Sequence, residues 1–364
     1  MQACYSVRAM SNQFFPSIAG PGLLPGTPGA EKDRAPRLID VARVAKLSAM
    51  TVSRALHDPQ KVSAGARARV AAAVAEIGYV PDLVASSLTS RRTRMVGLVI
   101  PTITDSIYAA TVAGLTSVLR ARHFEALIGD SGYDLGAEEQ LVKAFLGRRA
   151  DGIVLSNIDH TQATRRTLQR ARVPVVETGN LTDDPIDMVV GFSNHEAAAA
   201  MMRYLVGQGH QTIGFIGAAT LGNPQAADRR RAYVEAVERC GLTRSPTLAV
   251  ECAADLSVSA SAMVQMRERH PQMTALFAAS EVRAIGALLE CQRRKWKVPA
   301  RIAIAGFNDA GMGAWLVPAL TTVRVPRDAI GRRAAQMILD HLEGRPIAQR
   351  KVDVGYELVI RESA

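Results

Sequence analysis

The sequence predicts an all-α helix-turn-helix headpiece followed by an α/β core of two doubly wound parallel-sheet subdomains. Three observations predict it. Residues 37–56, RLIDVARVAKLSAMTVSRAL, read as two short amphipathic helices around a tight turn. From residue 94 onward, short apolar runs alternate with stretches of helical periodicity, the pattern of βαβ units. The charge is also uneven. Residues 31–94 carry twelve Lys/Arg against six Asp/Glu, a net +6 in 64 residues, whereas residues 95–364 carry 31 against 28. Positive charge therefore gathers where the two-helix motif lies, as phosphate binding requires.

Residues 1–36 contain the Pro/Gly-rich run SIAGPGLLPGTPGA, the composition of a disordered leader, and MQACYSVRAM lacks the apolar stretch of a secretory signal. The headpiece is expected over 37–80. Val41, Val44 and Ala45 give its first helix an apolar face, and Val52, Ala55 and Leu56 give the second one. Ser48 stands where a capping hydroxyl accepts a free backbone N–H. Ala49, Met50 and Arg54 then share the outward face, where Arg54 can reach a guanine edge or clamp a phosphate. Ser48, Thr51, Ser53 and His57 suit phosphate oxygens. An ordinary helix pair in a small bundle would show the same periodicity. A third helix follows, with Ser63 at its start and Gly78 as its stop. Pro81 opens a hinge segment, 81–93, too small to fold alone. A dimer on DNA could order it with Leu88 as an apolar wedge in the minor groove; a plain linker is the alternative.

In the core, strands are expected at 95–101, 125–130, 151–156, 174–179, 188–192, 212–218, 275–280, 302–307 and 320–325. That is more than one parallel sheet ordinarily uses, which implies two sheets with a cleft between them. Ligands of open parallel sheets bind at the strands' carboxyl ends. Those ends supply Thr102 to Tyr108, Asp130–Ser131, Ser156–Asn157, Glu177 to Asn180, Ser193–Asn194, Ser280–Glu281 and Asn308–Asp309, a ring of groups suited to a polyhydroxylated small molecule. Singly, each is better explained by capping or a loop, and Ser193 and Asn194 read as caps of the helix after them; only their convergence favours a binding cleft. There is no nucleophile elbow, phosphate loop or zinc-protease motif, so no enzyme is expected. His210 reads as ordering the turn before a strand. Cys4, Cys240, Cys252 and Cys291 are scattered, without the spacing of a metal or redox site, which fits a reducing cytoplasm; no cofactor or metal is expected. No apolar run is long enough to span a membrane.

The order and wording of IDVARVAKLSAMTVSRAL, VSAGARARVAAAVAEIGYVPD, MVGLVIPTITDSIYA, RRADGIVLS, VGQGHQTIGFIG and IAIAGFND…PALTTVRVP resemble the LacI-type (lactose-repressor) family of bacterial transcription factors. MTVSR, PVVETGN, MVVGFSNHEAA and VDVGYELVIRESA look like its gluconate-utilisation repressor branch. The resemblance implies a homodimer, or a tetramer, on a palindromic operator, with a periplasmic-binding-protein-like core crossed three times by the chain. It implies subdomain 1 at about 94–192 and 322–345, and subdomain 2 at about 193–321 and 346–364. It makes Ala49, Met50 and Arg54 base readers, Leu38, Ser48, Thr51, Ser53 and His57 contacts to the DNA backbone, and Ala85 and Leu88 hinge residues in the minor groove. It places an effector-binding arginine at Arg229, beside the strand-end candidates Tyr108, Glu177, Glu281 and Asn308. Asn308 replaces an aspartate common in the family, and Lys46 replaces a glycine common in the helix-turn-helix turn. The implied function is a transcriptional repressor of sugar-acid catabolism, released by gluconate or a related acid. A regulator answering to a neutral sugar is the alternative, and a sugar-binding transport protein a remote one.

Overall fold

The computed structural model describes residues 34–80 and 92–364. The greater part of the expected leader, and the expected hinge residues Ala85 and Leu88, lie outside the described residues. The chain divides into two units, one ending at Ser86 and the other beginning at Ser87.

The first unit is built from α1 (Leu38–Ala45), α2 (Ala49–His57) and α3 (Ala64–Ile77). Ser48 caps α2, its Oγ accepting from the Thr51 amide at 3.1 Å, and Ser63 caps α3 through the Ala66 amide at 3.4 Å. Gly78 closes α3 at φ 65°. Lys46 occupies the turn between α1 and α2 at φ 56°, ψ 46°, so the left-handed turn that favours glycine is kept with a lysine. Val41 and Val52 are fully buried, and Ala42, Ala45, Val70, Ala73 and Tyr79 surround them. Val44, expected inward, is 38% exposed because the buried stripe of α1 runs through positions 41, 42 and 45.

The second unit holds two six-stranded sheets. The first has the order β11-β5-β4-β3-β1-β2, from β1 (Met95–Ile100), β2 (Glu125–Asp130), β3 (Gly152–Leu155), β4 (Val175–Asn180), β5 (Met188–Phe192) and β11 (Lys351–Asp353). The second has the order β12-β10-β9-β8-β6-β7, from β6 (Ile213–Gly217), β7 (Ala249–Glu251), β8 (Ala275–Ala278), β9 (Ala303–Asn308), β10 (Thr321–Arg324) and β12 (Glu357–Val359). Neighbouring strands run parallel except β10 and β12. The central strands are apolar throughout, as strands covered on both faces must be.

The helices are α4 (Ser106–Arg120), α5 (Leu135–Gly147), α6 (Gln162–Ala171), α7 (Asn194–Gly207), α8 (Pro224–Arg239), α9 (Leu256–Arg269), α10 (Glu281–Arg293) and α11 (Arg327–Leu342). On the first sheet α4 and α11 cover one face, and α5 and α6 the other. The pair α4–α11 crosses at glycine: a Cβ on Gly331 would stand 2.0 Å from the Thr111 carbonyl oxygen, and one on Gly114 2.2 Å from that of Asp328.

The chain passes between the sheets after β5, after β10 and between β11 and β12. The last two passages come later than the expected bounds. Residues 321–324 pair with β9 and stay in the second sheet, and 351–353 pair with β5 and return to the first. The edge strands β7, β11 and β12 have three residues each, too short for an apolar run to mark them.

Candidate DNA-binding face and ligand cleft

On α2, Ala49, Met50 and Arg54 are exposed, Met50 to 64%, and Val52 on the opposite side is fully buried. The helix is thus anchored by its apolar face and offers a bulky thioether and a guanidinium outward. Ser48 is exposed, with its hydroxyl 2.8 Å from that of Thr51, while Thr51 and Ser53 are half-buried. Leu38 packs against the apolar centre of the unit, which makes its side chain a packing group first. His57 is the last residue of α2.

At the carboxyl ends of both sheets a polar cluster gathers around two arginines. Arg229, on α8, is 7% exposed; its Nε donates to Asn194 Oδ1 at 2.9 Å and its Nη1 to the Ala279 carbonyl at 2.7 Å. Its guanidinium lies 4.4 Å from the centre of the Phe307 ring. Arg327, the first residue of α11, is 6% exposed; its Nη2 donates to Asn308 Oδ1 at 2.9 Å, and its guanidinium lies 5.5 Å from the centre of the Phe192 ring. Neither arginine has a carboxylate within ion-pair distance among the described residues. Two buried polar groups at this spot lack any partner, Arg327 Nε and Asn308 Nδ2.

The electrostatics follow from that. Burial first, and then the like charge of Arg327, lower the Arg229 guanidinium to about 10. Burial also lowers Arg327, against the pull of Tyr108, Asp105 and Tyr133. Tyr108, buried and hydrogen-bonded to Tyr133, is driven well above the usual phenol range by burial and by that neighbour, so it stays protonated. The site is a pair of buried cations on an aromatic floor, with phenols beside it.

Asn308 and Asn194 complete the cluster. Asn308 ends β9 at φ 92° and Asp309 follows at φ 49°, a left-handed pair that turns the chain sharply. The Asp309 carboxylate is taken by Arg361 (2.8 and 2.9 Å) and Arg324 (2.8 Å), and these partners hold it below the usual range against burial. Asn194 is fully buried and donates from Nδ2 to the Gly179 carbonyl at 3.2 Å and Asn180 Oδ1 at 3.1 Å. Asn180 in turn donates to Asp228 Oδ2 at 2.7 Å.

Of the five expected ligand residues, Tyr108, Arg229 and Asn308 converge. Glu177 does not join them. Side chains alternate along β4, so Val176 faces the α4–α11 side while Val175 and Glu177 face α5 and α6. There Glu177 is fully buried and accepts from the Ile186 amide at 2.6 Å, with its other oxygen 3.2 Å from His160 Nε2. His160 Nδ1 lies 2.7 Å from Glu138. Burial opposes the imidazolium, but the hydrogen bonds and charges of Glu138 and Glu177 outweigh it and lift His160 to about 9. Glu281 is likewise occupied: its Oε1 accepts from the amides of Gly313 (2.9 Å) and Gly311 (3.3 Å), fixing the loop after β9, and burial raises its carboxyl pKa.

Two cluster residues escaped the reading of the sequence. Ser193 is the cap of α7, accepting from the Glu196 amide at 3.0 Å, and Asn194 beside it is a cleft residue instead. Arg327 had one available signal. A cation on the first turn of a helix opposes the macrodipole, so an arginine there asks for a reason. Among the described residues no group of His, Cys, Asp and Glu is arranged to hold a metal ion, and no helix is long and apolar enough to cross a membrane.

Residues 37–82 match the family described as bacterial regulatory proteins, lacI family, and residues 202–364 match a periplasmic binding protein-like domain. The chain is 31% identical over 327 residues to the HTH-type transcriptional regulator GntR of Escherichia coli K12, covering 90% of this chain and 98% of that one. A solved structure of the transcription regulator GntR from Chromobacterium violaceum is similar with a TM-score of 0.70 at 35% identity, over 74% of this chain and 98% of its own. A LacI-family regulator from Silicibacter pomeroyi aligns with a TM-score of 0.83 at 28% identity, over 90% of this chain and 98% of its own.

Proposed function

Because the chain belongs to the LacI family of bacterial regulatory proteins, DNA-binding transcriptional regulators, we propose that it represses genes of sugar-acid catabolism and is released from a palindromic operator by gluconate or a related sugar acid. In this reading it acts as a homodimer, or as a tetramer built from two such dimers. The headpiece spans 37–80 and the hinge 81–93. Ala49, Met50 and Arg54 read bases; Leu38, Ser48, Thr51, Ser53 and His57 hold the DNA backbone; and Ala85 and Leu88 enter the minor groove.

The observation that carries the effector class is the pair of buried arginines without a carboxylate partner. A desolvated cation is costly unless paired, and a carboxylate is the group whose geometry matches a guanidinium fork. An entering acid supplies the missing charge and meets the free Arg327 Nε and Asn308 Nδ2. Its hydroxyls find Tyr108, and its carbon chain lies over Phe192 and Phe307. A neutral sugar leaves both guanidinium charges uncompensated. Asn308 fits the same logic, because an aspartate there would neutralise Arg327 and repel an anion. Glu177 and Glu281 shape the walls and do not contact the ligand.

A thermal-shift screen of gluconate, ketogluconates and neutral sugars tests the reading. An acid at a hundred times its dissociation constant should stabilise by about 2.7 kcal/mol. A clear shift with a neutral sugar and none with any acid would overturn the assignment. Salt-dependent binding to a palindromic duplex separates a regulator from a transport protein, since only a regulator should show a log–log slope near −0.9 per phosphate.

A further inference from the structure

We infer that the amino-terminal strand end of the first sheet is a second DNA-backbone contact, made by the core and separate from the helix-turn-helix. In that sheet β1, β2, β3 and β4 begin side by side at Met95, Glu125, Gly152 and Val175. The turns leading into them therefore gather on one face. Each turn holds one basic residue in the left-handed region: Arg94 (φ 56°), His123 (φ 57°), Arg149 (φ 57°) and Arg172 (φ 54°). All four are exposed.

The second sheet is an internal control. Its turns before β6 and β7 meet the same backbone demand with Gly209 (φ 89°) and Gly241 (φ 62°), and only Lys295, ahead of β9, is basic there. Left-handed φ favours glycine, so the first sheet accepts strain four times and gains a basic side chain each time, an arginine in three of the four. The helix macrodipole accounts for Arg120 and Arg170 in the last turns of α4 and α6. It does not select arginine over glycine at left-handed positions beyond the helices.

The nearby carboxylates do not neutralise this face. Asp151 accepts from the amides of Thr93 (3.3 Å) and Arg94 (2.6 Å), and Glu343 pairs with Arg122 (2.8 Å) and Arg345 (2.6 Å). Glu125 and Asp187 are the further carboxylates at the strand starts, and Asp187 accepts from the Val175 amide (3.2 Å) and is paired with Arg350. Arg94, Arg149 and Arg172 form no ion pair among the described residues. Arg149 and Arg172 line a groove of about 630 Å³ together with Asp151 and His341. Duplex DNA is the occupant that fits: a regulator of this family already binds it, and the chain enters the core at this end, with Arg92 twelve residues after Val80. Forked guanidiniums in a row suit successive phosphates.

The test uses the full chain and a labelled duplex of about sixty base pairs of arbitrary sequence, followed by anisotropy from roughly 0.05 to 0.3 M KCl. In Arg149→Asn/Arg172→Asn, asparagine tolerates the left-handed turn and removes both charges. The log–log salt slope should become shallower by about 1.8, and affinity at about 0.1 M salt should fall roughly sixty-fold. Arg149→Lys/Arg172→Lys should keep the wild-type slope. An unchanged slope in the asparagine variant overturns the inference, and so does a loss of poly-glutamate binding without a loss of DNA binding, which would assign the face to an acidic protein. The headpiece reading is scored separately by Arg54→Ala on the same duplex. A wild-type chain that fails to bind any duplex would end both.

Discussion

Replacing Arg327 with methionine separates a ligand-binding arginine from a structural one, because the two roles move stability and affinity in opposite directions. In the folded protein Arg327 is 6% exposed, its Nε is unmet, and its Nη2 reaches only the neutral Asn308. An unmet buried donor alone costs about 1–3 kcal/mol. Methionine keeps an unbranched chain over the Phe192 ring and removes the charge. Against this, Asn308 Oδ1 loses its donor, a penalty of about 1 kcal/mol. The ligand-free variant should therefore be as stable as the parent or more stable by about 1–2 kcal/mol, with each kcal/mol raising Tm by about 2–4 °C at this size. Sugar-acid affinity should fall by about 1.5–3 kcal/mol, the worth of a hydrogen bond to a charged group, or about 10- to 150-fold. Thermal melts without ligand and calorimetric titration with gluconate measure the two quantities. A variant that melts several degrees lower yet binds the acid as tightly would refute the reasoning, because Arg327 would then be a structural strut.

Arg54→Ala should cost about 1–3 kcal/mol at one operator position and relax preference there; an equal loss on every sequence would make Arg54 a phosphate contact. His160 is held at about 9 in the folded protein, above its ordinary 6.5, so its contribution to stability is full below about pH 6.5 and is lost as pH rises through 9. That gap corresponds to about 3 kcal/mol, and the stability difference between wild type and His160→Gln in urea should shrink by that order across the window; a constant difference would show that the imidazolium is not formed. Asn194→Ala removes the acceptor of Arg229 Nε and a donor to β4, and should destabilise the core by about 1–3 kcal/mol while weakening acid binding. Retained stability and affinity together would show that Asn194 does not position Arg229.

The parts of the fold that were legible in the sequence are those written in local pattern. Central strands such as MVGLVI and AIAGFN are buried on both faces and so read as apolar runs, and Ser48, Ser63 and Gly78 mark helix ends through their own hydrogen bonds or φ. What stayed hidden depends on orientation. Glu177 ends an apolar strand run like a cleft residue, yet one step of alternation turns it toward His160. Asn194 sits beside a true cap and reads as one, although its partner Arg229 is 35 residues away. The strand-end ring included Asn194 and Asn308, which the structure gathers with Arg229 and Arg327. It could not say which members point inward, because that is fixed by pairing register and not by residue type.

Asn194 and Arg327 also sit where the chain changes subdomain, which gives the cleft its leverage. Asn194 follows β5 by two residues, at the first passage, and Arg327 follows β10 by three, at the second. Each is tied across the divide. Asn194, on a helix packed against the second sheet, bonds to Gly179 and Asn180 at the end of β4, and Arg327, on a helix of the first sheet, bonds to Asn308 at the end of β9. Asn180 continues the bridge to Asp228 on α8. An anion held by Arg229 and Arg327 would therefore compete for, or reinforce, the same hydrogen bonds that set the angle between the sheets. A ligand shifts an equilibrium only by its differential affinity for the two arrangements. Here the difference has a physical source: the distance between two guanidiniums, one on each side of the divide, depends on that angle. A coupling of about 1–3 kcal/mol, typical of such linkage, needs only one charge-assisted hydrogen bond to be made in one arrangement and lost in the other.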